Sequence, residues 1–190
     1  MFHSSLGSGH HAGMNWMEKY ADRRAHAYRL APGIRSVIVV GLNYYRQNTG
    51  PVPPGHGRVA RYARGRDYHK IINKMSKELI TRIECEIDKN ATRSRRPIFK
   101  HWVDYGPMLE RAYAARAGLG FIGKNTNLIT RQYGSWVFLG EIVTSLELEP
   151  GGIDPGQCGR CRECIDACPT GAISDRGGLD SRKCLSYLTG

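Results

Sequence analysis

Cys158, Cys161, Cys164 and Cys168, followed at once by Pro169, set the tightest constraint on what this chain can fold into. The pattern C-x2-C-x2-C-x3-C-P is the spacing with which thiolates wrap a cubane [4Fe–4S] cluster. Three sulfurs on a tight loop can reach three iron corners of one cube, whereas zinc usually takes well-separated Cys pairs. In two-cluster ferredoxins the fourth cysteine of such a run ligates the other cluster, which assigns Cys168 to a second cube. Cys184 is the one further candidate ligand in the module, with a spare thiol as the alternative. Two cubes need about eight thiolates. The module supplies five, so a partner segment bearing about three more is expected to be missing from the sequence.

Five of the six cysteines fall in this module, and no export signal precedes them, which favours metal ligation over disulfides. The start, MFHSSLGSGHHAGMNWM, lacks a basic-then-apolar leader pattern, and no apolar run approaches the roughly 18 residues that span a bilayer. A soluble, cytoplasmic protein without membrane contact is expected. Cys85 stands apart among apolar helix neighbours and is expected to be an inert buried thiol. Lys and Arg together number 28 against 17 Asp and Glu, a net charge of +11. That balance suits a polyanion such as RNA, bound with release of counterions, although a merely solvated basic surface explains it equally well.

Before the module the chain reads as α/β. Ser36 to Tyr45 is a β-branched and apolar run that predicts a strand buried on both faces. Residues 49–57, TGPVPPGHG, predict a loop. From Asp67 to about Asn90, Ile72, Met75, Leu79, Ile83 and Ile87 recur at helical spacing, with Asp67 placed as the cap. Pro97 to Val103 predicts a strand, Met108 to Ala117 a short helix ended by AGLG, and Ser135 to Leu148 a further strand. The order is βαβαβ-like. The Gly- and Pro-rich stretch at residues 150–156 suggests a boundary between an α/β domain at 1–149 and a partial ferredoxin-like iron–sulfur module at 150–190.

Three segments carry a resemblance to a known family: RYARGRDYHK at 61–70, VDYGPMLERAYAARAGLGFIGKNTNLI at 103–129, and CGRCRECIDACPTGAI followed by RKCLSYLT. Together with PGIRSVIVVGLNYY they resemble epoxyqueuosine reductases, from roughly His11 to Thr189. The resemblance implies a cobalamin-binding α/β domain feeding from [4Fe–4S] clusters, and reduction of epoxyqueuosine to queuosine in tRNA. Members of that family typically begin some tens of residues earlier and continue with a second cysteine motif and a helical-repeat region. The sequence is therefore expected to be a fragment or a truncated homologue.

Epoxide to alkene is a two-electron removal of oxygen, and no side chain supplies those electrons, so a cofactor must. By resemblance that cofactor is cobalamin, reduced through the clusters by an external electron donor. Asp104 occupies the family's proton-donor position in VD-x-x-P-x-L-E-R, where a carboxyl protonates the oxygen as the C–O bond opens. A structural Asp bonding its own turn is the plainer alternative. The resemblance also places Arg24, Asp67, Asp104, Leu128 and Ser186 at the cofactor, with backbone groups around Asn127 and Leu128 wrapping the corrin. A helix cap explains Asp67 equally well, and His69 is expected to be a hydrogen-bonded helix-start histidine rather than a cobalt ligand. Gly123-Lys124-Asn125-Thr126 is not a P-loop, because no Ser or Thr directly follows Lys124.

Arg58, Arg61, Arg64, Arg66 and Lys70, interleaved with Tyr62 and Tyr68, form a basic-aromatic run suited to the phosphates and bases of a queuosine-precursor anticodon loop. RSRRPIFK at 93–100 is a second basic run. Two other readings remain: a reductive-dehalogenase-like cobalamin enzyme, which has no reason for this basic surface, and a ferredoxin-like electron carrier, which would bind no corrin.

Overall fold

The structure is a computed structural model that describes residues 2–48, 50–89 and 96–190. Three short helices, α1 (Phe2–Gly7), α2 (Trp16–Lys19) and α3 (Ala21–Ala25), lead into strand β1 (Ser36–Asn43). A long irregular segment then reaches helix α4 (Tyr68–Lys89), strand β2 (Phe99–Trp102) and helix α5 (Glu110–Arg116). Strands β3 (Phe121–Ile122) and β4 (Leu128–Ile129) form a small hairpin-like pair before strand β5 (Val137–Thr144). The last part of the chain holds only the short helices α6 (Glu163–Asp166) and α7 (Leu185–Leu188) among turns.

The main sheet runs β1-β5-β2, and both pairings are antiparallel. The fold is thus mixed helix and sheet, but its βαβαβ-like order does not produce a parallel sheet. β1 lies at an edge, and its residues are half-buried or exposed rather than enclosed on both faces. The strand fully enclosed is β5, buried from Leu139 to Thr144. Its neighbours supply backbone partners on both sides, and helices cover both faces.

Alternation along β5 assigns the faces. Phe138 stacks on Tyr68 of α4 with ring centroids 3.8 Å apart, and a Cβ added at Gly140 would come within 2.6 Å of Ile72 Cγ2. Even positions therefore lie under α4. Odd positions face α5, where Val143 packs with Ala27, Ala31, Ile34 and Met108, and Leu139 packs with Ala114 and Leu128. Gly140→Ala is expected to cost about 1–3 kcal/mol through overpacking against Ile72 and Val40. A urea midpoint equal to that of the unmutated protein would contradict this packing.

α4 begins one residue after Asp67, whose Oδ1 accepts the His69 backbone N–H at 3.0 Å, as a helix cap should. Its inward stripe differs from the expected one. Ile72 and Ser76 are buried, whereas Met75 is 50% exposed. Cys85 is exposed rather than buried. It lies two residues from both Ile83 and Ile87, and residues so spaced point to different faces of a helix.

In the cysteine-rich part, Ile173 and Leu179 form an isolated bridge, and the Asp180 side chain accepts the Arg182 N–H to start the turn before Cys184. The N-terminal segment fastens this region. His10 C=O accepts the Ser181 N–H at 2.9 Å, and the Gly13 N–H donates to Tyr187 Oη at 2.8 Å. Among the described residues no helix is long and apolar enough to cross a membrane.

Candidate active site and cysteine module

Asp104 follows β2 in a left-handed backbone conformation, φ 62°, which Asp and Asn tolerate better than other side chains. Val103, fully buried, anchors the turn, and the Tyr105 N–H closes it on Val103 C=O at 2.7 Å. The carboxyl is thereby held out of the sheet toward the start of α4. Tyr68 Oη donates to Asp104 Oδ2, and His69 Nε2 lies 3.2 Å from the same oxygen. His69 Nδ1 is 2.9 Å from Asp67 Oδ1. Asp67, His69, Asp104 and Tyr68 thus form one chain of polar contacts, hydrogen-bonded at its two ends and joined by the His69–Asp104 pair, and Asp67 serves as cap and as orienter of His69 together.

The side chains are tuned by these contacts. The His69 bond holds Asp67 below the usual carboxylate range. Burial, followed by the bond to Asp104, pushes the Tyr68 phenol up, so it stays a neutral donor. Tyr68 lies between His69 and Phe138, and Phe138 stacks in turn on Tyr44 at 4.2 Å.

Arg24 lies on α3. Its guanidinium sits 4.4 Å over the Trp16 ring, its Nε is buried without a hydrogen-bond partner, and it interacts electrostatically with Glu110. A cavity of about 340 Å³ is lined by Tyr44, Arg111, Asn127, Leu128, Trp136 and Leu139 among others. Arg111 braces its rim by donating to Thr126 C=O at 2.8 Å and Asn127 Oδ1 at 3.1 Å. Leu128 is therefore at the cavity, and Arg24 beside Glu110. Ser186 is exposed on α7 next to Cys184, outside the Asp104 group.

Two carboxyl groups belong to the site that the sequence reading did not single out. Glu110, at the start of α5, is pushed up to about 7 by burial and then by the Asp104 charge. Glu141, in the middle of β5, is fully buried without a hydrogen-bond partner among the described residues and pushed up to about 9, chiefly by burial. The available signal was a lone acid inside the apolar run WVFLGEIVT, at the same strand parity as Leu139 and Val143.

Lys124 couples the cavity loop to the cysteines. Its backbone N–H donates to Cys158 Sγ at 3.4 Å, and its ammonium donates to Gly159 C=O at 3.0 Å and Cys161 C=O at 2.8 Å. Cys168 Sγ accepts the Ala172 N–H at 3.3 Å, and hydrogen bonds from the segment after it, that of Thr170 first, bring its thiol down to about 7. N–H groups aimed at sulfur favour thiolate, the form that ligates iron. Among the described residues no three His, Cys, Asp or Glu side chains converge as on a single ion. Lys124→Met is expected to leave cluster assembly possible but to make reconstituted iron bleach several-fold faster in air. Bleaching at the unmutated rate would show that the ammonium does not brace the loop.

The basic-aromatic run folds over a second cavity, of about 300 Å³, lined by Arg58, Arg61, Tyr62, Arg64, Tyr44 and Trp136 among others. Arg61 lies 4.6 Å over the Trp136 ring and 5.2 Å over Tyr45, while Arg64 Nη1 donates to Asn48 Oδ1 at 2.9 Å. Tyr44 and Trp136 belong to both cavities, so the two are neighbours. Arg93 and Arg95 of the second basic run lie outside the described residues.

Comparison with known proteins matches residues 24–97 to the family described as epoxyqueuosine reductase QueG, DUF1730, and residues 157–190 to a 4Fe–4S double cluster binding domain. The epoxyqueuosine reductase of Synechocystis is 44% identical over 186 residues, covering 98% of this chain and 61% of that protein. The structure of the Streptococcus thermophilus epoxyqueuosine reductase is similar at TM-score 0.83 and 30% identity, over 98% of this chain and 49% of the other. An epoxyqueuosine reductase solved with an epoxyqueuosine-modified tRNA-Tyr stem loop gives TM-score 0.73 and 32% identity, over 85% and 42%. The Bacillus subtilis enzyme, solved with an aspartate-bearing catalytic loop swung out of the active site, gives 0.74 and 31%, over 89% and 44%. The chain thus spans about two-fifths to three-fifths of the length of the relatives it matches. Two family matches in chain order, and sequence and backbone likeness running through nearly all of it, show that this chain belongs to the epoxyqueuosine reductase family.

Proposed function

We propose that this chain carries the reaction centre of an epoxyqueuosine reductase, which removes the epoxide oxygen of epoxyqueuosine in tRNA to leave the alkene of queuosine. The observation that carries the reading is the Asp67–His69–Asp104–Tyr68 chain. It orients the Asp104 carboxyl against Tyr68, which is joined through Phe138 to Tyr44 in the lining of a cavity, and the loop of Asn127 in that lining is tied through Lys124 to the cysteines. Asp104 is the acid that protonates the oxygen as the C–O bond opens, and a relative's aspartate-bearing loop described as catalytic supports that role. Tyr68 and His69 hold its carboxyl in one orientation, and the left-handed turn keeps it clear of the sheet.

Cobalamin fits the groups present. A flat, amide-fringed macrocycle needs an apolar and aromatic shelf with polar groups at its rim. Leu128, Leu139, Trp136 and Tyr44 supply the shelf, and Asn127 and Arg111 the rim. Arg24, beside Glu110 with its Nε unpartnered, and Asp67, beside His69, hold the fringe, and Ser186 brings the cysteine module to the cofactor. When bound, the cofactor supplies the two electrons at a potential no side chain reaches.

Cys158, Cys161 and Cys164 hold one [4Fe–4S] cluster, while Cys168 and Cys184 ligate a second in part; an external donor reduces them. Residues 1–149 form the corrin-binding part and 150–190 the electron-relay part, in the cytoplasm. The basic cavity of Arg58, Arg61 and Arg64 grips tRNA phosphates next to the reaction cavity, and a relative solved with a modified tRNA stem loop supports tRNA as the partner.

The test is anaerobic. The iron-loaded chain is mixed with cobalamin, and corrin absorbance is followed through gel filtration. The same sample is given an epoxyqueuosine-modified stem loop and a strong reductant, and nucleosides are read by mass. Co-elution with conversion to queuosine is expected. Loss of all corrin on the column together with intact epoxide would overturn the reading.

A further inference from the structure

The face of β5 that meets α5 is apolar at both ends and acidic in the middle. Val143 closes one hydrophobic cluster and Leu139 another, and Glu141 stands between them, 0% exposed, with neither carboxyl oxygen hydrogen-bonded. Replacing a buried, unpartnered carboxyl by an apolar side chain would relieve a desolvation cost, so its presence between two well-packed clusters asks for a use. Glu110 faces it from α5. One Glu110 oxygen is buried and unpartnered, and the Asp104 backbone N–H is directed at the carboxyl. Around the pair stand Asp104 from the turn after β2, Arg24 from α3, Arg111 from α5 and Tyr68 from α4.

Two carboxyls sharing an enclosed interior resist ionising together, and a third beside them deepens the effect. Both are accordingly pushed up, by burial first, Glu110 to about 7 and Glu141 to about 9. The pair therefore stores protons next to the acid of the reaction. The chemistry consumes more of them than Asp104 holds: epoxide plus two electrons and two protons gives alkene and water, and one carboxyl carries a single proton.

We propose that Glu110 and Glu141 are the proton store of Asp104, an inference that rests on the reductase reading. Asp104 gives its proton to the epoxide oxygen as the first C–O bond opens and becomes a carboxylate. Glu110 reprotonates Asp104, which delivers the second proton as the oxygen leaves as water. Glu141, which has no hydrogen-bond partner of its own among the described residues, refills Glu110 when a solvent water bridges the two carboxyls, and solvent restores the store between turnovers. The relay moves protons only, and the two electrons come from the external donor through the clusters.

One arm of the test needs no cofactor or RNA. The full chain, labelled with carbon-13 at the Glu side-chain carboxyl, is titrated by NMR. Two carboxyls are expected to keep their protons far above the rest, with midpoints about 7 and about 9, the first vanishing in Glu110→Gln and the second in Glu141→Gln. If all glutamates of the unmutated chain titrate together in the ordinary carboxylate range, there is no store and the proposal falls, with the reductase reading untouched.

The second arm uses iron- and corrin-loaded protein with the modified stem loop. Both variants should retain corrin and stem-loop binding but turn over about 10²-fold more slowly. The loss should deepen as pH rises and solvent protons become scarce. Turnover equal to the unmutated protein at every pH overturns the relay. Absence of reduction by the unmutated protein overturns the functional reading and the relay with it, while the NMR arm separately reports the store.

Discussion

Asp104→Asn is expected to slow epoxide reduction by about 10²- to 10⁴-fold, the usual contribution of a positioned general acid. The substitution isolates the proton. Asn is nearly isosteric and tolerates the φ of 62° that the turn imposes, whereas most other side chains would strain it. Tyr68 Oη still finds a carbonyl oxygen to donate to, so the turn keeps its partner from α4. Corrin retention, iron content and stem-loop affinity should therefore remain at their unmutated values. Single-turnover conversion of the stem loop, followed by nucleoside mass, measures the loss. A rate equal to that of the unmutated protein would remove Asp104 from the chemistry and leave it as a turn residue.

The second large effect concerns stability rather than rate. Glu141 is fully buried and is held neutral well above the ordinary glutamate value of 4.5, up to about 9. The folded chain binds this proton more tightly than the unfolded chain does. Between those two values the unfolded state has already released its proton while the folded state has not, so stability falls as pH rises. The slope is about 1.4 kcal/mol for each pH unit per such group. Glu110 adds its own loss between 4.5 and about 7. Glu141→Gln cannot ionise, and it should become progressively more stable than the unmutated protein as pH rises. Urea unfolding midpoints from about pH 5 to about pH 9 check the sign. Parallel curves for the two proteins would show that Glu141 is not a buried neutral acid.

These two carboxyls also mark where sequence reasoning stopped. The spacing of Cys158 to Cys168 and the capping role of Asp67 were legible because each is a local rule, fulfilled within a few residues. So was the extent of α4, foreseen to about Asn90 and observed to Lys89. The place of Asp104 just past a strand end was legible too. Glu110 and Glu141 were not, because their chemistry arises from β5 and α5 packing face to face across the sequence. Hydrophobic runs report that a segment is enclosed but not the direction of its partners, which is why β5, not β1, proved to be the enclosed strand and the sheet antiparallel. Cys85 illustrates a finer limit: apolar neighbours two residues away on a helix say nothing about the face in between.

The strap between residues 9–13 and residues 181–187 sets an order of events during synthesis. Its contacts join positions about as distant as the chain allows, up to 174 residues apart for Gly13 and Tyr187. A ribosome releases the first half of the strap long before the cysteine loop exists, and the clasp can close only once the later segment has emerged. Iron delivered to a nascent chain would therefore meet thiols that Lys124 alone can brace, whereas delivery after release meets a loop already held from both ends.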